Sequence, residues 1–374
     1  MTTGRDTGIT VKIAHDAVKL SPQIIRKEVS SVNDRNSGRE NNSRAAYDAL
    51  TRNHIFIISP TSFRKSADMD SLIQKVNSYF GEMENAAYAV FISRYQRSAI
   101  GIIRNYVRSV GPGKIVRVYA VGDSSIMFDC LNGIVGLDNT ELAVIPYGAR
   151  TDFIRVFGEN QEALFRNIEL QATSPTVTSD ILHCGSNYAL SFCLIGLESL
   201  ANATANKLIH KFSRACKMFP KLMNILFYYG GLCSVFNNDV HFQRYILTID
   251  GEVFTSTCAT INIANVPYYG GDKGAIPEAV PDDGWLDVLY SKTKSLLATL
   301  GVFIPYMMGK YKEYPQYFVH KRAREISIRS DLPLMLDLDG EVFFDTNINI
   351  KIIPQGVKIV SPGGMEYIRR LPNE

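Results

Sequence analysis

Residues Ile115–Phe153 read IVRVYAVGDSSIMFDCLNGIVGLDNTELAVIPYGARTDF, and their pattern decides the fold. The stretch opens on a β-branched apolar run, Ile115 to Val121, which predicts a buried strand. A polar corner follows, Gly122-Asp123-Ser124-Ser125. Ile126, Met127, Cys130 and Leu131 then fall at helical spacing, and Asn132-Gly133 closes that helix. A second buried strand, Leu142 to Pro146, ends in the corner Tyr147-Gly148-Ala149-Arg150. Strand, corner, helix, strand, corner is half of an open α/β sheet. Its corners lie at the carboxyl ends of the strands, where such sheets bind ligands. Small residues there let backbone N–H groups close on a phosphate.

Working upstream, His54 to Ser59 is a buried strand that ends at Pro60-Thr61-Ser62-Phe63. Ser66 to Phe80 is amphipathic, with Met69, Leu72, Ile73, Val76 and Tyr79 on one helical face. Ala87 to Ser93 is the next strand, and a helix runs from Ala99 to Val107. Residues 1–52 differ: Asn33 to Arg44 (NDRNSGRENNSR) has almost nothing apolar and reads as a disordered extension, with a short helix between Val11 and Val29.

Downstream, from about Gln171, short alternating strands take over. They are expected at Ser179–His183, Tyr188–Ile195, Tyr245–Ile249, Glu252–Phe254, Thr260–Ala264, Leu286–Tyr290, Ile326–Arg329, Val342–Phe344 and Ile348–Ile352. Many short strands between turn residues predict a sandwich. The expected architecture is an α/β N-terminal domain (53–158, an open sheet of nucleotide-binding type) followed by a β-rich sandwich domain (170–358). A helical insert, 201–236, interrupts the sandwich, and the segment 359–374 is placed to return to the first domain.

Composition bounds the function. A net charge of +3 over 374 residues gives no argument for nucleic acid. Six cysteines show no Cys-x-x-Cys spacing and lie mostly in apolar runs, so buried free thiols in a reducing, cytoplasmic compartment are expected. No apolar run reaches 18 residues; Ser295 to Gly309 comes nearest and is broken by Pro305. The N-terminus lacks an apolar signal core. The oligomeric state is not legible.

From 53 to 362 the chain resembles the catalytic domain of the diacylglycerol and sphingosine lipid kinases. That family carries Gly-Gly-Asp-Gly-Thr at the first corner quoted above and Gly-Thr-Gly-Asn-Asp-Phe at the second. Here the second reads Gly148-Ala149-Arg150-Thr151-Asp152-Phe153. Upstream, the family's Asn-Pro-x-Ser-Gly corresponds to Ser59-Pro60-Thr61-Ser62-Phe63, and a threonine is usual near Ser93. The resemblance implies ATP bound by Ser59, Thr61, Ser62, Ser93, Gly122, Asp123, Ser124, Ser125, Gly148, Ala149 and Asp152. Ser93 reads equally as a helix cap. The Gly122 corner admits two registers. Ungapped, Asp129 and Asn132-Gly133 match the family's Glu-x-x-Asn-Gly, and Asp123 replaces the second glycine. Shifted by one, Asp123 is the family aspartate. In the first register a carboxylate sits where phosphate should approach. Two like charges about 4 Å apart repel by about 4 kcal/mol at intermediate dielectric.

Two motifs in the second half carry the resemblance further. Asn265-Val-Pro-Tyr-Tyr-Gly-Gly leads through Pro277-Glu278-Ala279 into Pro281-Asp-Asp-Gly-Trp-Leu-Asp287, matching the family's Asn-x-x-Tyr-x-Gly-Gly…Asp-Asp-Gly-x-Leu-Asp. By resemblance, Asp283 with the carbonyls of Val280 and Trp285 would hold a structural Mg²⁺. Asp339-Gly340-Glu341 matches the family's Asp-Gly-Glu, in which the glutamate is the general base on the lipid hydroxyl and the aspartate supports it. Asp250-Gly251-Glu252 repeats the tripeptide, and only its place after the Ile326 strand favours 339–341.

Three readings follow: an ATP-dependent lipid kinase acting on a diacylglycerol-like or sphingoid-like hydroxyl, a degenerate non-catalytic relative that binds lipid or protein, and a nicotinamide-dinucleotide kinase. The Tyr-Gly-Gly…Asp-Asp-Gly run speaks against the third. A lipid substrate makes a membrane surface an expected partner. Lys207, Lys211, Arg214, Lys217 and Lys221 fall largely along one helical face, which reads either as a basic interfacial helix or as a core helix with a solvated lysine face, with Pro220 ending or kinking it.

Overall fold

The computed structural model describes residues 51–83, 86–148, 152–212, 243–268, 276–292 and 296–368, with isolated helical positions between 215 and 233. The expectations for residues 1–50 lie outside them, as do those for Ala149, Arg150, Thr151, Arg214, Lys217 and Lys221. The chain divides into two units. The first takes the chain up to Ala149, Glu162–Val177 and Ile359–Met365; the second takes Arg150–Gln161, Thr178–Lys358 and the chain from Glu366.

The first unit is a parallel sheet wound with helices. Its strands are β1 (Asn53–Ile58), β2 (Ala87–Ile92), β3 (Val116–Gly122) and β4 (Thr140–Pro146), in the order β2-β1-β3-β4. Both faces are covered, so β1, β3 and β4 read as near-continuous apolar runs and are buried throughout their central residues. Helix α1 (Ser66–Gly81) buries Leu72, Val76 and Phe80, one residue per turn, against Phe56, Ile58, Tyr119, Val121, Ala143 and Ile145. Helices α2 (Ser98–Val110) and α3 (Ser124–Ile134) pack against each other and on the sheet. Short helices α4 (Glu162–Phe165) and α5 (Ile168–Thr173) complete the unit, and Ile359 adds a parallel pairing beside Leu142.

The second unit is antiparallel. Strands β5 (Thr176–Cys184), β6 (Asn187–Ala189) and β7 (Phe192–Gly196) open it, and helix α6 (Leu197–Lys211) follows directly. Strands β8 (Gln243–Ile249), β9 (Glu252–Cys258), β10 (Thr260–Ala264) and β11 (Leu286–Ser291) come next, then helix α7 (Leu296–Met307). Strands β12 (Phe318–Ala323), β13 (Glu325–Leu338) and β14 (Glu341–Val360) close the chain's order. One ladder runs β12-β11-β10-β7-β13. Strand β13 pairs β8 through Ile326–Arg329 and β7 through Leu336–Leu338. Its register shifts between Arg329 and Leu334, and such a bulge lets one strand bend from one set of partners to another. Helix α7 packs Val302 and Tyr306 with Leu194, Leu289 and Phe318.

The structure corrects several expected elements. Tyr188–Ile195 is two strands, because the N–H groups of Leu190, Ser191 and Phe192 turn to the Asp339 carboxylate instead of a neighbouring strand. Val342–Phe344 and Ile348–Ile352 belong to one strand, β14. Strand β12 (FVHKRA) had been missed, since His320, Lys321 and Arg322 hide its apolar alternation. The insert's helix begins at Leu197, four residues before Ala201. No helix among the described residues is long and apolar enough to cross a membrane.

Candidate functional site

In the first unit the corner after β1 meets the corners after β3 and β4. The turn Pro60–Ser62 places the Ser62 hydroxyl to accept from the Asp123 N–H at 3.2 Å. Gly122 has φ +150°, and a Cβ there would lie 2.7 Å from Ser62 Oγ and 2.9 Å from Ile126 Cγ2. Gly148 has φ +88°, and its Cβ would lie 3.1 Å from the Ser62 carbonyl oxygen. Only glycine fits both conformation and space at these two points. Ser59, Ser62, Gly122, Asp123 and Gly148 are therefore brought together at the carboxyl ends of the strands, as expected for a ligand-binding edge. Ser59 and Thr61 join through their hydroxyls at 3.0 Å.

Helix α3 starts at Ser124, so Ser124 and Ser125 are its first two residues and Asp123 its N-cap. Asp123 is extended (φ −94°, ψ −170°), and its Oδ1 is buried without a hydrogen-bond partner. Desolvation raises its carboxyl above the ordinary range, while the Ser62 hydroxyl and the N–H groups of Ile126 and Ser125 pull it down. Further along α3, buried Asp129 accepts the Arg97 N–H at 2.7 Å, and the Asn132 amide donates to the Phe128 carbonyl at 2.8 Å. Ser93 shares a 2.8 Å hydrogen bond with Ser98 Oγ at the start of α2, but it does not cap the helix: the N-cap is Arg97, with no side-chain cap hydrogen bond. Asp152 opens a 3₁₀ turn, Asp152–Phe157, which belongs to the second unit.

In the second unit both Asp-Gly-Glu triplets form two-residue hairpin turns, with positive φ at Asp250 and Gly251 and at Asp339 and Gly340. Their glutamates differ. The Glu252 side chain is 76% exposed and pairs with Lys321, whereas Glu341 is buried. Asp339 does not face outward at all: its carboxylate accepts from the N–H groups of Leu190 (2.6 Å), Ser191 (3.0 Å) and Phe192 (3.0 Å). The sequence reading missed Asp337. It is fully buried, and its oxygens accept from the Gly340 N–H at 2.6 Å and the Asn202 amide of α6 at 2.8 Å. A lone aspartate inside an apolar strand, two residues before the turn, was its only signal.

Desolvation pushes the Asp339 carboxyl up to about 6 from 3.8, outweighing the three N–H donors, with the Asp337 charge acting in the same direction as burial. A raised carboxyl makes the folded state bind the proton more readily than the unfolded chain. Its contribution is therefore fully present below about pH 4 and is lost as pH rises through about 6. In urea unfolding, the stability of the wild type relative to Asp339→Asn is expected to fall by on the order of 2–3 kcal/mol from pH 4 to 7. A difference that is flat or grows with pH would contradict this assignment.

Asp283, the expected metal ligand, is already engaged. Its Oδ1 accepts from the Trp285 N–H at 3.0 Å, and its Oδ2 pairs with the Arg322 guanidinium. Among the described residues no group of three or more His, Cys, Asp or Glu side chains could hold a metal ion. Asp283, Val280 and Trp285 as arranged do not fit a bound Mg²⁺. Asp180, also missed, braces the loop from behind by accepting from the N–H groups of Gly284 (2.6 Å) and Gln355 (2.7 Å). Asn265 donates to the carbonyls of Asp180 and Leu190, tying the first half of the long motif to both strands.

Comparison with known proteins agrees with this layout. Residues 194–361 match the model of the YegS C-terminal NAD kinase beta sandwich-like domain. A Staphylococcus aureus (strain JH9) protein named "Putative lipid kinase" is 24% identical over 262 residues, covering 69% of this chain and 79% of that one. Two crystal structures from Bacillus anthracis str. Sterne share the fold. One, titled a putative diacylglycerol kinase, has a TM-score of 0.63 at 20% identity over 83% of this chain and 95% of its own. The other, titled a diacylglycerol kinase, has a TM-score of 0.59 at 19% identity over 83% and 96%.

Proposed function

The chain belongs to the lipid kinase family of the diacylglycerol kinase and YegS type, and from that premise we propose that it transfers the γ-phosphate of ATP to the hydroxyl of a diacylglycerol-like or sphingoid-like lipid. The carrying observation is the contrast between the two Asp-Gly-Glu turns. They share a backbone conformation, yet only Glu341 is buried, on a turn locked by Asp337 and Asp339. A buried carboxylate carried on a rigid turn is held in one position, as a general base must be, whereas Glu252 is solvent-exposed beside Lys321. In this reading Glu341 accepts the proton of the lipid hydroxyl as it attacks phosphorus. Asp339 holds the turn and takes no part in proton transfer. Ser62, Gly122 and Gly148 form the phosphate-facing edge. The test is transfer of labelled phosphate from ATP to lipid in mixed micelles, with Glu252→Gln as the control that leaves the rate unchanged. A wild type inactive on both lipid classes sinks the proposal.

One observation favours the non-catalytic reading. Asp123 sets a negative group at the N-terminus of α3, the position where a helix attracts phosphate. Asp123→Gly is expected to tighten nucleotide binding about tenfold by removing a like charge. Titration with ATP in the presence and absence of Mg²⁺ reads this directly. Unchanged affinity would show that Asp123 does not oppose the nucleotide.

A lipid substrate needs a surface contact. Lys207 and Lys211 are exposed on α6, in keeping with a reversible, salt-sensitive attachment of a cytoplasmic protein to an anionic leaflet. Co-sedimentation with anionic and neutral liposomes across a salt series checks it; binding indifferent to lipid charge would rule it out.

A further inference from the structure

The loop Val280–Trp285 lies among carboxylates. Desolvation raises the Asp283 carboxyl, the Arg322 charge and the Trp285 N–H pull it down, and the charges of Asp287 and Asp180 add smaller upward pushes, so three acidic groups feel one another there. Each has an answer within the protein. Asp180 spends its two oxygens on the N–H groups of Gly284 and Gln355. Asp287 takes His320 Nε2 on Oδ1 at 2.7 Å, while its Oδ2 is buried without a partner. Asp283 meets the Arg322 guanidinium. The strand register explains how Arg322 gets there. On β12 it pairs with Asp287 of β11, which places it next to the loop that leads into β11. The guanidinium also lies 5.4 Å from the Trp285 ring centroid, and that of Arg324 lies 4.7 Å from it. A planar cation held between a carboxylate and an indole is pre-organised in a way a lysine would not be.

We propose that Arg322 supplies in this chain the positive charge that closes the Val280–Trp285 loop on Asp283, in place of a divalent cation, so that the second unit folds without metal. Any Mg²⁺ requirement of phosphate transfer then belongs to the nucleotide alone. The inference stands whether or not the chain is an active kinase, because its readout is stability.

The experiment is thermal unfolding of the full chain in EDTA and in excess Mg²⁺, without nucleotide, for the wild type, Arg322→Gln, Asp283→Asn and the double variant. The wild-type midpoint is expected to be the same in both buffers. Arg322→Gln is expected to lower it by roughly 2 °C, the scale for a half-exposed pair in a unit of this size. The losses of the two single variants should not add in the double variant, since both remove the same pair. A wild-type midpoint that moves with EDTA or Mg²⁺ overturns the proposal. So does an Arg322→Gln midpoint equal to that of the wild type, or strict additivity in the double variant.

Discussion

Glu341→Gln is expected to reduce phosphate transfer by about 10²–10⁴-fold, the usual contribution of a positioned general base. The amide keeps the shape of the side chain, so the folded state should be retained. The hairpin has anchors other than the carboxylate at 341: Gly340 is held by Asp337, and Asp339 is held by three N–H groups from residues 190–192. Nucleotide affinity should also be unchanged, because the lost group acts on the acceptor. The decisive comparison is therefore turnover against ATP titration and far-ultraviolet circular dichroism on the same preparation. A variant that transfers phosphate at the wild-type rate would remove Glu341 from the mechanism. A variant that unfolds would show that its burial is structural.

Arg117→Met is expected to cost about 3–5 kcal/mol of stability, the price of leaving a buried charge partner and several acceptors unsatisfied. Arg117 is fully buried on β3. Its Nε donates to Glu141 at 2.7 Å, and its guanidinium reaches the carbonyls of Gln171 (2.6 Å), Ala172 (3.0 Å) and Ser174 (3.0 Å). Those carbonyls lie at the end of α5, where a helix leaves its last acceptors open and favours a cation. One side chain thus fastens the α5 segment to the sheet. Arg52 also donates to Glu141 at 3.1 Å and would keep it partly compensated. Lysine should not rescue, since one ammonium cannot reach four separated acceptors. Arg117→Met combined with Glu141→Leu should recover part of the loss. Urea unfolding measures this; a loss below about 1 kcal/mol would show that the clamp contributes little beyond packing.

The parallel sheet of the first unit was legible because its strands are buried on both faces, and the run Ile115–Pro146 shows that directly as apolar strand, corner, helix and strand. The corners were legible because Gly122 and Gly148 must take conformations and approaches closed to other residues. The Asp-Gly-Glu tripeptides were equally visible at 250–252 and 339–341, and sequence supplied no physical distinction between them. Tertiary structure did: burial separates Glu341 from Glu252, and side-chain direction makes Asp339 a clasp for the chain at 190–192. Asp337, Asp180, Arg117 and Arg322 escaped because each acts on a group many residues away, and a single charged residue in a strand carries no local signature of its partner. Local pattern reflects what the backbone and the apolar faces require of near neighbours. Which polar group answers which is fixed only when distant segments meet and every buried donor and acceptor must find a partner.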